Sequence, residues 1–307
     1  MFFKKKKEEN INNRLTAMEL KLHCSIILQA ASERRRVRNL PPGTPLAECE
    51  FKVYSQFGED GILQHLVTHV PIENKSFVEF GVEDFSEANC RYLCEVEPWK
   101  GLVLDSDPEL GKKIKSQSLS FFRELNALTA FVTAENINQL LQKQGFFGNI
   151  GVLSLDIDGN DYWVWKAITV AQPRIIVVEY NSIYGPDKAV VVPYDPTFSR
   201  QTAHTSWLYC GASLAALVHL GAKKGYSFVG SNSAGNNAFF VSNCVIGRLK
   251  PLTSQEGYVE STFRESRDAD GNMTYLNGIA RLHVIKDMPL IDVISGKTIK
   301  VNELITA

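Results

Sequence analysis

A chain of 307 residues has room for one large α/β domain with an appendage, or for two small domains. Hydrophobic residues make up 44% and charged residues 22%, an ordinary globular balance that argues against a disordered or fibrous chain. The net charge of -1 gives no global pull toward nucleic acid, although the first 40 residues are strongly basic, from Lys4–Lys7 through Arg34, Arg35, Arg36 and Arg38. That arm suits phosphate, an anionic lipid surface or the acidic body of a neighbouring subunit, and equally a solvated terminus. Cys24, Cys49, Cys90, Cys94, Cys210 and Cys244 form no Cys-x-x-Cys pair and gather no His cluster, so free thiols are expected and a structural zinc site is not. Polar residues follow Lys4–Lys7 where a secretory signal would carry an apolar stretch, and no nearby run approaches the ~20 residues of a membrane helix. The expected setting is therefore the reducing cytoplasm, with no membrane span and no nucleic-acid partner.

In chain order, Leu15, Met18, Leu22, Ile26 and Ala30 recur at steps of three and four and predict a helix over 10–38 with one apolar stripe. Such a stripe must be buried against the main domain or against a second copy, and a dimer contact is the expectation. Pro41-Pro42-Gly43 closes this N-terminal extension, taken as residues 1–50. From about residue 51, short apolar runs at 76–81 (SFVEFG), 101–105 (GLVLD), 119–124 (LSFFRE), 151–156 (GVLSLD) and 174–180 (RIIVVEY) alternate with helical stretches such as 134–144 and 162–171. Continuous apolar runs between helices imply a parallel sheet covered on both faces. The pattern then changes: 226–230 (YSFVG) and 237–242 (NAFFVS), joined by a Gly/Asn/Ser turn, predict an adjacent antiparallel pair. Five parallel strands finished by such a pair resemble the Rossmann-like α/β sheet of class I methyltransferases. The domain so defined spans 51–245. The remaining 246–307 is an appended segment with a strand-like pair around Ser295-Gly296-Lys297 and no assigned chemistry.

Ligands of open α/β sheets bind outside the carboxyl ends of the strands, so the residues that end each run carry the information. The first run leads into Glu79-Phe80-Gly81-Val82-Glu83-Asp84, without the Gly-x-Gly-x-x-Gly that sets backbone N–H groups against a diphosphate. Glu83 and Asp84 would repel a diphosphate, which counts against NAD or FAD, whereas a sulfonium- and ammonium-bearing ligand suits an acidic turn. Asp105 ends the second run, placed to accept hydrogen bonds from a ribose diol, and Asn126 after the third run is placed to meet an adenine edge. Asp156 and Asp158 follow the fourth run, and Glu179 and Asn181 the fifth. A row of carboxylates at the tops of adjacent strands is hard to explain by packing.

Several blocks, in order, carry a family resemblance: 54–63 (YSQFGEDGIL), 77–84 (FVEFGVED), 133–141 (TAENINQLL), 153–165 (LSLDIDGNDYWVW), 176–181 (IVVEYN), 211–214 (GASL), 224–230 (KGYSFVG) and 236–241 (NNAFFV). Over about 53–242 the chain resembles FkbM-type S-adenosylmethionine-dependent methyltransferases, many of which are O-methyltransferases acting on sugars of surface polysaccharides or on natural products. The resemblance implies Ser55 and Gln56 near the methionine end of the cofactor, Glu79 and Gly81 at its turn, Asp105 at the ribose, Asn126 at the adenine and Asp156 at the amino group. The stretch Asp158-Gly159-Asn160-Asp161-Tyr162 is also similar to the Asp-Gly-Asp-x-Tyr of macrolide-type sugar methyltransferases, which use a divalent metal. By that likeness Asp158, Glu179 and Asn181 would offer oxygen ligands to Mg2+. The chain departs from that pattern in having Glu-Tyr-Asn where those enzymes carry paired acids.

Methyl transfer to a sugar hydroxyl needs a base for the hydroxyl proton, or a metal that acidifies it. His204 is the candidate base, against the bland reading of a surface loop histidine, and Asp158 is the substitute. His204 lies in a long segment, 182–210, whose Tyr184, Tyr194, Asp195 and Trp207 suit a sugar and whose length predicts a substrate lid. His65 and His69 sit four apart on a predicted helix but lack a third ligand, while Trp163, Trp165, Cys90, Cys94, Phe121-Phe122 and Phe239-Phe240 are expected in the core. Two rival enzyme readings start from Asp156-Ile157-Asp158-Gly159: a Mg2+-dependent haloacid-dehalogenase-type phosphatase and a metal-dependent glycosyltransferase. The non-enzymatic rival is a ligand-binding module that oligomerises through the N-terminal helix.

Overall fold

A computed structural model describes residues 2–116 and 124–305. Its central sheet is built from β1 (Ser76–Phe80), β2 (Lys100–Asp105), β3 (Leu125–Thr129), β4 (Gly148–Leu155) and β5 (Ala171–Glu179). These five run parallel to one another. Two further strands, β7 (Tyr226–Ser231) and β8 (Asn237–Ser242), complete the order β3-β2-β1-β4-β5-β8-β7; the two-residue β6 (Val190–Val191) lies outside this sheet. β8 inserts antiparallel to β5, and β7 closes the edge antiparallel to β8. The expected parallel set and terminal antiparallel pair are thus both present.

Alternate residues of each central strand point to opposite faces, and both faces are buried, so the strands read as continuous apolar runs. Val78, Phe80, Leu102, Leu104, Leu153, Leu155, Ile176 and Phe240 pack on one face under the helices Ile137–Lys143, Asp161–Ala167 and Leu214–Lys224. Phe77, Val103, Val152, Ile175, Val177 and Phe239 pack on the other, against Glu59–His69, Arg91–Val96 and Leu110–Ser116. The helix Leu214–Lys224 shows how local sequence fixes a boundary. Ser213 accepts a hydrogen bond from the Ala216 N–H at 3.1 Å at its start, and Gly225 takes the left-handed conformation just past its end.

The third strand differs from expectation. It is described over Leu125–Thr129, and of the expected 119–124 run Leu119, Phe121 and Phe122 lie, with the rest of 117–123, outside the described residues. β3 is an edge strand with exposed positions, so its Asn126 and Thr129 give it none of the apolar continuity of the central strands.

The N-terminal helix, Phe2–Arg38, docks only by its C-terminal part. Ala30 and Val37 are buried, and Arg38 pairs with Glu97 and donates to Gln64 at 3.1 Å. Leu15, Met18, Leu22 and Ile26 are exposed in the single chain, so of the predicted stripe only Ala30 is covered by the main domain. No helix among the described residues is long and apolar enough to cross a membrane.

The C-terminal segment does not extend the central sheet. Its hairpin, β9 (Pro289–Asp292) and β10 (Thr298–Lys300), forms a second sheet, ordered β10-β9-β6, with the strand of the 182–210 segment. Ile183, Tyr184, Val190, Val192, Leu208 and Tyr209 share one apolar cluster with Ile285, Leu290 and Val301. Cys90 and Cys94 are buried, as expected.

Candidate functional site

One cavity of about 620 Å³ opens above the carboxyl ends of β1, β2, β4 and β5. Its first wall is the turn after β1. Gly81 has φ +72°, and a Cβ there would lie 1.6 Å from the Asp156 carbonyl oxygen, so the turn touches the top of β4 backbone to backbone. Only glycine satisfies both constraints. The turn is braced by its neighbour: Asp105 accepts hydrogen bonds from the N–H groups of Glu83 at 2.8 Å and Asp107 at 2.9 Å. Asp105 lines the cavity together with Leu104, Ala130, Phe131 and Val132, which give this end an apolar slot beside a carboxylate.

The loop after β4 forms the floor. Asp161 accepts from the N–H groups of Ile157 at 2.9 Å and Gly159 at 3.0 Å, which folds Asp156–Asp161 into a compact turn at the start of the helix Asp161–Ala167. Within it Asp158 has φ +57° and points into the cavity rim. Asn160 Nδ2 donates to the Asp195 carbonyl at 2.8 Å, and a Cβ on Gly159 would strike the Phe198 ring, so the floor is packed directly on the 182–210 segment.

At the top of β5, Glu179 faces the cavity, whereas Asn181 turns its amide away: Nδ2 donates to the carbonyls of Leu208 and Cys210, each at 3.0 Å, and Oδ1 accepts from Ile183 N–H at 3.3 Å. The far end is walled by Phe198, Arg200 and Trp207 from the 182–210 segment and by Ser261, Phe263, Glu265 and Arg281 from the C-terminal segment. Arg281, 4% exposed, pairs with Glu260 at 2.7 Å.

The acids of this cavity crowd one another. Burial, then repulsion from Asp161 and Asp158, pushes Asp156 well above the usual carboxylate range. Glu179 is pushed the same way by burial and then by Asp156, Asp158 and Asp161. The Arg200 guanidinium opposes both shifts. Asp161 is raised to about 6 by burial, against the lowering effect of its backbone hydrogen bonds. Acids raised by burial and by one another are suited to a cationic ligand, which would offset that repulsion.

Gln56, Gly81, Asp105, Asp156, Asp158, Glu179 and Asn181 therefore line one cavity. Four expected site residues do not. Ser55 is buried beneath the loop, where its Oγ accepts from the Asp60 N–H at 3.0 Å. Glu79 lies inside β1, not at its end, and its carboxylate accepts from the N–H groups of Asn89 at 2.7 Å and Cys90 at 3.0 Å, capping the helix Arg91–Val96; burial raises it to about 7. Asn126 is exposed near the start of edge strand β3, because that strand begins later than expected. His204 points elsewhere: its Nδ1 bonds the Ser206 hydroxyl at 2.8 Å and accepts from the Ser206 N–H at 3.1 Å. Its imidazole is lowered by burial.

The metal set Asp158, Glu179 and Asn181 does not fit a divalent ion, since both polar atoms of the Asn181 side chain are committed to backbone. Among the described residues no group of three or more His, Cys, Asp or Glu is arranged to hold a metal. His65 and His69 direct Nε2 to the carbonyls of Pro42 and Leu40 at 3.4 and 3.0 Å, which accounts for their spacing as a clamp on the Pro41-Pro42 turn. Arg200 and the contributions of Ser261, Phe263, Glu265 and Arg281 were not foreseen. Arg200 lies 42 positions from Asp158 and Glu265 a further 65 from Arg200, and such separations leave no local trace of a meeting.

No protein-family model and no curated protein sequence matches the chain. Among solved structures it is similar to a Listeria monocytogenes protein provisionally assigned as an S-adenosylmethionine-dependent methyltransferase (10% identity, TM-score 0.36, covering 60% of this chain and 98% of that one). It is also similar to PKMT2 from Rickettsia typhi (12% identity, TM-score 0.38, 69% of this chain and 56% of that one). A third similar structure is the O-methyltransferase from Bacillus cereus in complex with SAH (10% identity, TM-score 0.34, 70% and 89%). The chain spans little more than half the length of the Rickettsia protein.

Proposed function

We propose that this chain is an S-adenosylmethionine-dependent O-methyltransferase acting on a hydroxyl of a sugar, a glycan precursor or a related natural product. The observation that carries this reading is the contact between Gly81 and Asp156, which brings a glycine turn, the Asp105 carboxylate and the Asp156 carboxylate into one cavity. The cofactor fits these residues on two counts. The close approach of Gly81 to the Asp156 carbonyl sets the β1 turn and the top of β4 side by side on the cavity wall, and the neighbouring carboxyls are pushed toward neutrality by burial and so favour a cation beside them. When bound, S-adenosylmethionine supplies a methyl group activated by a sulfonium.

The residues divide the work by position. Asp105 accepts hydrogen bonds from a ribose diol, Leu104, Phe131 and Val132 cover an aromatic ring, and Gln56 and Asp156 hold the amino-acid end. Phe198, Trp207 and Phe263 offer flat apolar faces to an acceptor ring. The acceptor hydroxyl must lose its proton as the new O–C bond forms, and the Asp158 carboxylate at the cavity rim is the group available to take it. The exposed stripe Leu15, Met18 and Leu22 supports self-association through the N-terminal helix, which light scattering at increasing concentration would detect.

Isothermal titration of the purified chain with S-adenosylmethionine tests the reading, with mass spectrometry of co-purifying S-adenosylmethionine or S-adenosylhomocysteine as a second readout. Saturable binding is expected. Absence of both binding and co-purified nucleoside would end the proposal.

A further inference from the structure

The acidic row above β4 and β5 has a positive charge built into it. Arg200 Nη1 reaches Asp158 Oδ1 at 3.2 Å, Nη2 reaches Glu265 Oε2 at 3.5 Å, and Nε donates to the Trp207 carbonyl at 2.7 Å. The guanidinium thereby joins the β4 loop, the 182–210 segment and the C-terminal segment at one point. Its field also favours the ionised forms of Asp156 and Glu179. A guanidinium stays charged at any working pH and presents its donors in a rigid fork, so its charge here is permanent and directional.

A divalent ion at this place would need several oxygens free to converge on it, near-octahedral for Mg2+. Three of the oxygens that such an ion could use are engaged: Asp158 Oδ1 and Glu265 Oε2 with Arg200, and Asn181 Oδ1 with the Ile183 N–H. We infer that Arg200 is the resident cation of this pocket, occupying the position that a divalent metal would require and keeping such a metal out. The ion pair with Asp158 and the Asn181 amide turned away to backbone are two independent observations with the same consequence. The inference rests on the methyltransferase reading only for its meaning in catalysis. The charge arrangement stands by itself.

Mn2+ binding to the full chain, followed by the loss of the free-ion electron paramagnetic resonance signal, tests it. Wild-type protein is expected to leave the free Mn2+ signal unchanged. Arg200→Ala is expected to gain binding, tighter than wild type by about tenfold or more, because Asp158, Glu179 and Glu265 lose their counter-ion. Arg200→Lys, which keeps the charge, is expected to exclude Mn2+ as wild type does. Adding Asp158→Asn to Arg200→Ala should abolish the gain. Thermal melts establish that each variant is folded, and Arg200→Gln replaces the alanine variant if that one is not. Mn2+ binding by wild type that Asp158→Asn removes would overturn the inference, as would an Arg200→Ala or Arg200→Gln protein that binds Mn2+ no better than wild type. Titration of wild type with S-adenosylmethionine is run alongside. Failure there sinks the methyltransferase reading and leaves the Mn2+ result to be judged separately.

Discussion

Asp105, at the end of β2, accepts a hydrogen bond from the backbone N–H of Glu83, in the turn after β1, at 2.8 Å. The carboxylate proposed to hold the ribose also shapes the wall opposite it. Asp105→Ala should weaken S-adenosylmethionine binding by roughly 1–3 kcal/mol through lost charge-assisted hydrogen bonds, and the freed Glu83 N–H should loosen the turn as well. Titration calorimetry of Asp105→Ala against Asp105→Asn separates these effects, since Asn retains an acceptor for the turn. Unchanged affinity in both variants would remove Asp105 from the binding site.

Gly81→Ala is predicted to be among the most damaging single substitutions in the chain. The added methyl meets a backbone oxygen, which cannot rotate away, at a left-handed φ that costs alanine a further ~1–2 kcal/mol. The expected result is a melting temperature lower by several degrees together with loss of cofactor binding. A variant that melts and binds as wild type would show that the β1 turn and the top of β4 do not meet as described.

Stability should fall as pH rises from about 5 to about 7.5. Asp60 and Asp161 are raised to about 6 and Glu79 to about 7, in each case chiefly by burial. These folded values exceed those of an unfolded chain, ~3.9 for Asp and ~4.3 for Glu, so across this window the native state binds more protons and loses stability as they leave. Glu79→Gln should flatten the upper part of the profile, although its amide makes a poorer acceptor for the Asn89 and Cys90 N–H groups and lowers stability overall. Melting temperatures at half-unit pH intervals give the slope. A rise in stability over this range would contradict the assigned burial.

His204→Ala should retain methyl transfer. The imidazole is tied to Ser206 and does not line the cavity, so its loss is expected to affect only the local turn. Asp158→Asn should instead lower turnover by about 10²–10⁴-fold if its carboxylate takes the acceptor proton. A large loss of turnover for His204→Ala, with Asp158→Asn active, would reverse this assignment.

The parts of the molecule that sequence reveals are those in which local pattern and tertiary position coincide. β1, β2, β4 and β5 are buried on both faces, so apolar continuity located each of them, and residues just past their ends, Gly81, Asp105, Asp156 and Glu179, landed in the cavity. Where the two diverge, the reading failed. The apolar 119–124 run resembles a strand more closely than the half-exposed β3 that follows it. Glu79 has the chemistry of a ligand contact, yet alternation along β1 turns it toward the N–H groups of Asn89 and Cys90. His204 has the chemistry of a base and lies in the expected lid, but neither type nor place gives direction, and its imidazole is directed to Ser206. Arg200 and Glu265 meet across 65 residues of chain.

The short strand β6 gives the far end of the cavity an origin of its own. Because it pairs with β9, the segment that follows β5 and the C-terminal hairpin share one minor sheet and one apolar cluster. Acceptor preference would then be inherited or exchanged as a two-piece cassette. Swapping the 182–210 stretch alone between relatives should leave half a wall, and grafting both pieces together is the route to a changed specificity.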